Sequence, residues 1–205
     1  MKSLQILLFI FLVAVYAYAK PSQKITAPVK EDKAEYIKRD VRLSSYDGMI
    51  KDEDLNKVWC DKNFNYKNYK TLGVTKFINA PLLDGKINRD FIDMPGLYIK
   101  RMLDRSRIPV KFELIDIEPA SLNVKALKAF KEDLVLAGVI TEIREEDAYP
   151  EFPAPARLSV EVVLFDTKKS KIIIAAVHSQ EGVNLTDCLE HITSNIVNYL
   201  TRKAK

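Results

Sequence analysis

Residues 157–165, RLSVEVVLF, and 171–178, KIIIAAVH, enclose the five residues DTKKS at 166–170. Two apolar, β-branched runs joined by five turn-prone residues predict an antiparallel hairpin. This is the strongest local structural signal in the chain, and the other elements are placed around it. Just upstream, residues 134–143, LVLAGVITEI, form the most apolar run beyond the N-terminal segment. Their length and β-branched content predict a central strand. Between that run and the hairpin lies REEDAYPEFPAPA at 144–156, where Pro150, Pro153 and Pro155 keep the chain extended and outside any sheet interior. Tyr149 and Phe152 place large aromatic groups on this loop, and are therefore expected to contact a partner.

Working toward the N-terminus, Ser121 is expected to cap a helix over 121–133, with Leu122, Ala126, Leu127, Ala129 and Phe130 inward. Residues 110–118, VKFELIDIE, alternate as a strand, with a slip near Ile115 that suggests a bulge or burial on both faces. A helical stripe of Leu97, Met102, Leu103 and Ile108 spans 92–108, with Asp93 and Pro95 at its start and Pro109 at its end. Residues 71–80, TLGVTKFINA, read as a half-buried strand, and PLLDGKINRD after them as an inserted loop. At the other end, Thr186 or Asp187 opens a last helix whose stripe is Leu189, Ile192, Ile196 and Leu200. The order is β-α-β-α-β-β-β-α. That predicts an α/β fold, an α+β layer sandwich with a mixed sheet of about five strands and helices mainly on one face.

The first 19 residues, MKSLQILLFIFLVAVYAYA, join a basic start, an apolar centre and Ala17-Tyr18-Ala19 before Lys20. This is the pattern of a signal peptide cleaved after Ala19, with an uncleaved anchor as the alternative. The apolar run from Leu4 to Val15 is short for a span, which takes about 20 residues. Residues 20–57 carry 17 charged side chains and are expected to form a flexible charged leader. The turn Ser45-Tyr46-Asp47-Gly48 falls within it, and residues 58–205 then make a single α/β domain. The mature chain is expected in the periplasm or secreted, and not membrane-spanning.

Composition bounds the chemistry. Hydrophobic residues at 47% and charged residues at 29% exclude collagen-like, wholly disordered and polytopic membrane classes. The net charge of +4 comes from 32 basic and 28 acidic residues mixed along the chain, so no basic patch points to nucleic acid. No glycine-rich phosphate loop is present among six glycines, and no metal or cofactor is expected. His178 at a strand end and His191 on the last helix have few companions for catalysis, so no catalytic residue is assigned. Asp166 is expected to bond the turn backbone, and Glu145, Glu146 and Asp147 to form a solvated acidic loop. Trp59, Phe64, Tyr66 and Tyr69, interleaved with lysines, are read as packing aromatics; base or sugar stacking is the alternative. In an oxidising compartment Cys60 and Cys188 are expected to form a disulfide, the alternative being two separate buried thiols.

Several phrases resemble a broad group of bacterial envelope proteins. They are FNYKNYKTLGV at 64–74, LAGVITEI at 136–143, LSVEVVLFDTKKSKI at 158–172 and YDGMI at 46–50. The group includes uncharacterised outer-membrane lipoprotein families and shares a fold with the periplasmic part of the curli-secretion channel and the N-terminal domain of TolB. The chain departs from it in having Lys20 where a lipoprotein carries its acylated Cys, and Lys169-Ser170 where the hairpin turn usually has Gly. The resemblance implies an exported, non-enzymatic binding or assembly module of the bacterial cell envelope, with an envelope protein partner or self-association. A small-ligand or transport-accessory protein is the second reading and a secreted hydrolase the third.

Overall fold

The predicted hairpin forms in full and is longer than its apolar core. In the computed structural model, which describes residues 48–79, 89–145 and 155–204, it comprises β6 (Ala156–Asp166) and β7 (Lys171–Gly182). The turn needs one left-handed residue, and Ser170 supplies it at φ 52° where a glycine would be unstrained. The apolar run upstream becomes β5 (Leu134–Arg144), antiparallel to β6 along nearly its whole length. On its other side β5 pairs in parallel with β2 (Thr71–Thr75), and β2 pairs in parallel with β4 (Lys111–Ile115). Two short strands complete the sheet: β1 (Lys57–Cys60), antiparallel to β7, and β3 (Ile78–Asn79), which rejoins β5 beyond a break after β2. The strand order is β1-β7-β6-β5-β2-β4, with β3 paired to β5 off that path.

The expected α/β class and mixed sheet are therefore present. Among the described residues the sheet has seven strands rather than about five, because β1 and β3 are too short to show a hydrophobic period. No half-buried alternation survives in β2, where Leu72, Gly73, Val74 and Thr75 are all buried, since β4 and β5 flank it and both faces are covered.

Two helices pack on one face. The first, α1 (Arg89–Leu103), includes Pro95 and lies over β2 and β4, with Ile99 and Leu103 fully buried. It starts before the expected Asp93, whose carboxylate instead meets Lys76 at 3.0 Å. The last helix, α3 (Leu185–Arg202), lies over β6 and β7, is capped by the Asn184 side chain, and buries the expected stripe together with Cys188, Thr193, Val197 and Tyr199. Beneath these helices Leu72, Val74, Leu134, Leu136, Val160, Val162, Ile174 and Ala176 form the main core. The opposite face holds Val135, Ala137, Val163, Phe165 and Ala175, covered by Leu122, Leu127 and Phe130.

The helix expected over 121–133 shrinks to a single turn, α2 (Val124–Leu127). Its cap is Asn123, while the Ser121 hydroxyl accepts a hydrogen bond from the Asn123 backbone. The following residues leave the helix because Asp133 is committed to the start of β2: its carboxylate accepts from Lys70 N–H at 2.7 Å, and its own N–H donates to Thr71 Oγ1.

The predicted signal peptide and the leader up to residue 47 lie outside the described residues. The last part of that leader, 48–57, is built into the fold. Ile50 bridges Val58, and Leu55 is buried in the main core. Its carboxylates Asp52, Glu53 and Asp54 all meet Arg202 of α3. Charge that reads as solvated in one dimension is paired in three.

Candidate interaction edge

Three polar or edge regions stand out, and their internal bonding decides what each can do. The first is at the β6–β7 turn. Asp166, fully buried, accepts the Tyr69 hydroxyl at 2.6 Å and the Lys169 backbone N–H at 2.8 Å, with Lys169 Nζ 3.5 Å away. Burial first, then the Asp166 hydrogen bond, pushes the Tyr69 phenol well above its usual range, so it stays a proton donor. Beside it Lys168 meets Asp133 at 2.8 Å, and Thr167 Oγ1 donates to the Glu132 carbonyl at 2.6 Å. The expected role of Asp166 in bonding the turn backbone is present; its bond to Tyr69, 97 residues away in sequence, had no local signal.

The second region ties residues 52–56 to the sheet and α3. His178 is nearly buried; its Nδ1 accepts from Asn56 N–H at 3.3 Å and its Nε2 lies 3.0 Å from the Asn195 amide. A neutral imidazole has one N–H, so with Nδ1 accepting, Nε2 carries the proton; the Asn195 atom placed there is Nδ2, and the amide turned end for end supplies the carbonyl oxygen that this tautomer needs. Burial holds the ring below its ordinary pKa. At Asp52 burial acts upward, but the Arg202 hydrogen bond and charge and the Asp54 backbone outweigh it, leaving the carboxyl below its usual value. Both regions spend their polar groups on holding segments together.

The two cysteines are free thiols, which corrects the expected disulfide. Cys60 pairs with Ile174 near the start of β7 and lies beside Tyr199 at the end of α3. Cys188, in the first turn of α3, is at the far end of β7 next to Gly182, its thiol 3.4 Å from the Ala156 carbonyl. Eleven helical residues, about 16 Å, separate Cys188 from Tyr199, so each cysteine sits at an opposite end of the helix. Because β7 and α3 run antiparallel, the residue beside the start of β7 and the residue in the first turn of α3 are held apart. Tyr66 and Tyr69 are buried, and Phe64 packs edge-on to Tyr66 at 4.5 Å, so these aromatics are core and offer no stacking platform. Tyr149 and Phe152 lie outside the described residues, as do Glu146 and Asp147.

The void between α3 and the sheet is lined by Leu55, Leu136, Val162, Ile196 and Tyr199 among others, and measures about 10 Å³. That is room for roughly one water and no organic ligand.

The third region is β4. Among the described residues it ends the sheet. Lys111 N–H bonds to the Lys70 carbonyl of the β2 side. By the alternation of a strand, the N–H and C=O groups of Phe112 and Leu114 therefore point outward from the edge. Phe112, opposite Leu72, and Leu114, opposite Val74, share the helix-covered face; Lys111, Glu113 and Ile115 share the other. Leu114 is 44% exposed and Ile117, just beyond the strand, 58%. Sequence alternation revealed the strand but not that it lies at an edge, which depends on long-range pairing. No helix among the described residues is long and apolar enough to cross a membrane.

No family model matches the chain, and no curated protein matches it. The fold is similar to that of the PelC dodecamer from Paraburkholderia phytofirmans, with TM-score 0.51 and 13% identity over 72% of this chain and 94% of that one. A single-substitution variant of the same PelC, in another space group, gives TM-score 0.50, again at 13% identity, over 72% and 95%. A protein from Xanthomonas campestris follows at 0.46 and 11% identity, over 70% and 90%. At these identities the likeness is one of fold.

Proposed function

We propose that this chain is an exported, non-enzymatic module of a bacterial cell envelope that works by binding and assembly. The observation that carries the reading is the sheet edge at β4, unpaired among the described residues, with Leu114 exposed on it and outward backbone groups at Phe112 and Leu114. An edge of this kind is a template for strand addition unless something covers it. Support comes from the fold, similar to that of a protein solved as a dodecamer, and from the sequence resemblance to bacterial envelope lipoprotein families. The signal-peptide pattern at 1–19 supplies export.

The competing readings gain less. The void beneath α3 is too small for the ligand that a transport accessory would carry there. For a hydrolase, His178 is engaged through both ring nitrogens, and His191 pairs with Asp187 at 3.3 Å. Cell fractionation tests the reading. The protein is expected in the envelope fraction with Lys20 as its first residue, and cross-linking there is expected to capture a defined protein partner or further copies. A chain retaining Met1 in the cytosol, or one that cross-links to nothing, overturns it.

A further inference from the structure

We infer that β4 is a self-association edge, pairing antiparallel with β4 of a second copy about a two-fold axis at Phe112. This rests on the assembly reading above and specifies its partner as the chain itself. The argument starts from backbone direction. Only residues whose N–H and C=O point outward can exchange hydrogen bonds across an edge, and on β4 these are Phe112 and Leu114. A two-fold strand pair can then be centred on Phe112, on Leu114 as hydrogen-bonded pairs, or on Glu113 as a non-hydrogen-bonded pair.

Side-chain chemistry separates the three. Centred on Glu113, two carboxylates face each other directly, which is destabilising. Centred on Leu114, each charge meets an apolar group: Lys111 opposite Ile117, Phe112 opposite Asp116, Glu113 opposite Ile115. Centred on Phe112, Lys111 of each copy faces Glu113 of the other and the two Phe112 rings adjoin, while Val110, in the bend before β4 with its N–H bonded to the Ile108 carbonyl, offers only its side chain toward Leu114. The Lys111 and Glu113 positions are then non-hydrogen-bonded sites, where opposite side chains approach most closely. Within one chain these two residues already lie side by side, Nζ to Oε1 at 2.8 Å, so both charges are presented together at the edge.

The apolar row of the helix-covered face, Phe112 and Leu114, continues across the axis and buries the exposed part of Leu114. Above it α1 lies over β2 and β4. With strands about 4.8 Å apart, the axis sets the two copies of α1 about 10 Å apart, the spacing of packed helices. The opposite end of the sheet does not compete as well, because Ile50 already bridges Val58 of β1.

Sedimentation of the purified full chain from micromolar to sub-millimolar concentration tests this, comparing wild type, Lys111→Glu, Glu113→Lys and the double exchange. Wild type is expected to self-associate. Each single reversal puts like charges opposite one another and is expected to raise the dissociation constant by about tenfold or more. The double exchange restores opposite charges in the same register and is expected to return close to wild type. A wild type that stays monomeric, singles that associate as it does, or a double no better than the singles each overturns the pairing. If wild type forms a larger ring, the same pattern in its mass supports the edge and an unchanged mass refutes it. A monomer that still captures an envelope protein refutes this edge alone and leaves the assembly reading in place.

Discussion

The Tyr69 hydroxyl donates to the buried carboxylate of Asp166 at 2.6 Å, fastening the entry of β2 to the turn of the β6–β7 hairpin. Tyr69→Phe removes that donor and leaves Asp166 with the Lys169 backbone and ammonium. The expected loss is about 1.5–3 kcal/mol, the range for a hydrogen bond to a charged group. Urea unfolding reads it directly. A midpoint equal to wild type would show that the bond holds nothing.

Gly138 faces the ring of Phe77, and a Cβ there would lie 2.4 Å from Phe77 Cε2. Phe77 is fully buried, so the ring has no room to retreat. Gly138→Ala is expected to cost about 1–3 kcal/mol through overpacking. Adding Phe77→Leu should recover part of this, and a double variant less stable than either single would contradict the steric account.

His178 gives the stability a pH dependence with a definite sign. Its folded-state pKa is held below the ordinary 6.5 by burial, with Asp54 acting the other way. The unfolded chain therefore binds the proton more readily, and stability is complete above about pH 7 and falls as the pH drops below the ordinary value. Protonation also gives Nδ1 a hydrogen aimed at the Asn56 N–H. Stability curves of wild type and His178→Gln are expected to diverge in slope below neutrality. Parallel curves would show that the ring titrates normally. The carboxylates Asp52, Asp61 and Asp133, held below 3.8 by Arg202, Lys171 and Lys168 respectively, act only in a lower window.

Arg202 gathers Asp52, Glu53 and Asp54 onto the end of α3. The guanidinium is 37% exposed, so solvent screening limits its contribution. Arg202→Ala is expected to lower stability by about 1 kcal/mol, less in high salt. Hydrogen exchange at Ile50 and Val58, whose backbones bond each other, should accelerate with it. Unchanged exchange there would mean that Leu55 alone holds the segment.

With Cys60 and Cys188 both free and at opposite ends of α3, reductant is expected to leave the melting temperature unchanged. Thiol titration of the unfolded chain should find two groups. One disulfide per molecule would contradict this arrangement.

The legible parts of the chain were those whose information is local. The β6–β7 hairpin, the central β5 and the stripe of α3 each carry a period or a turn within a dozen residues, and each was found where it was expected. What escaped depends on partners distant in sequence. Asp133 ends the expected 121–133 helix because it serves Lys70 and Thr71, some 60 residues earlier. Residues 52–54 looked like solvated charge because their cation is Arg202, about 150 residues later. The edge position of β4 follows the same rule, since strand order is a property of the whole sheet.

The placement of β1 separates local from distant pairing. Beyond the Ile50 bridge, β1, the earliest strand among the described residues, has its ladder partner in β7, with Trp59 opposite Ala175. The β5–β6–β7 meander joins strands that are neighbours in sequence, whereas β1 and the 50–56 strap must span more than 100 residues of intervening chain to reach β7. Docking of β1 and the strap therefore carries the largest loop-closure cost of these pairings, met only once β7 and Arg202 of α3 are in place.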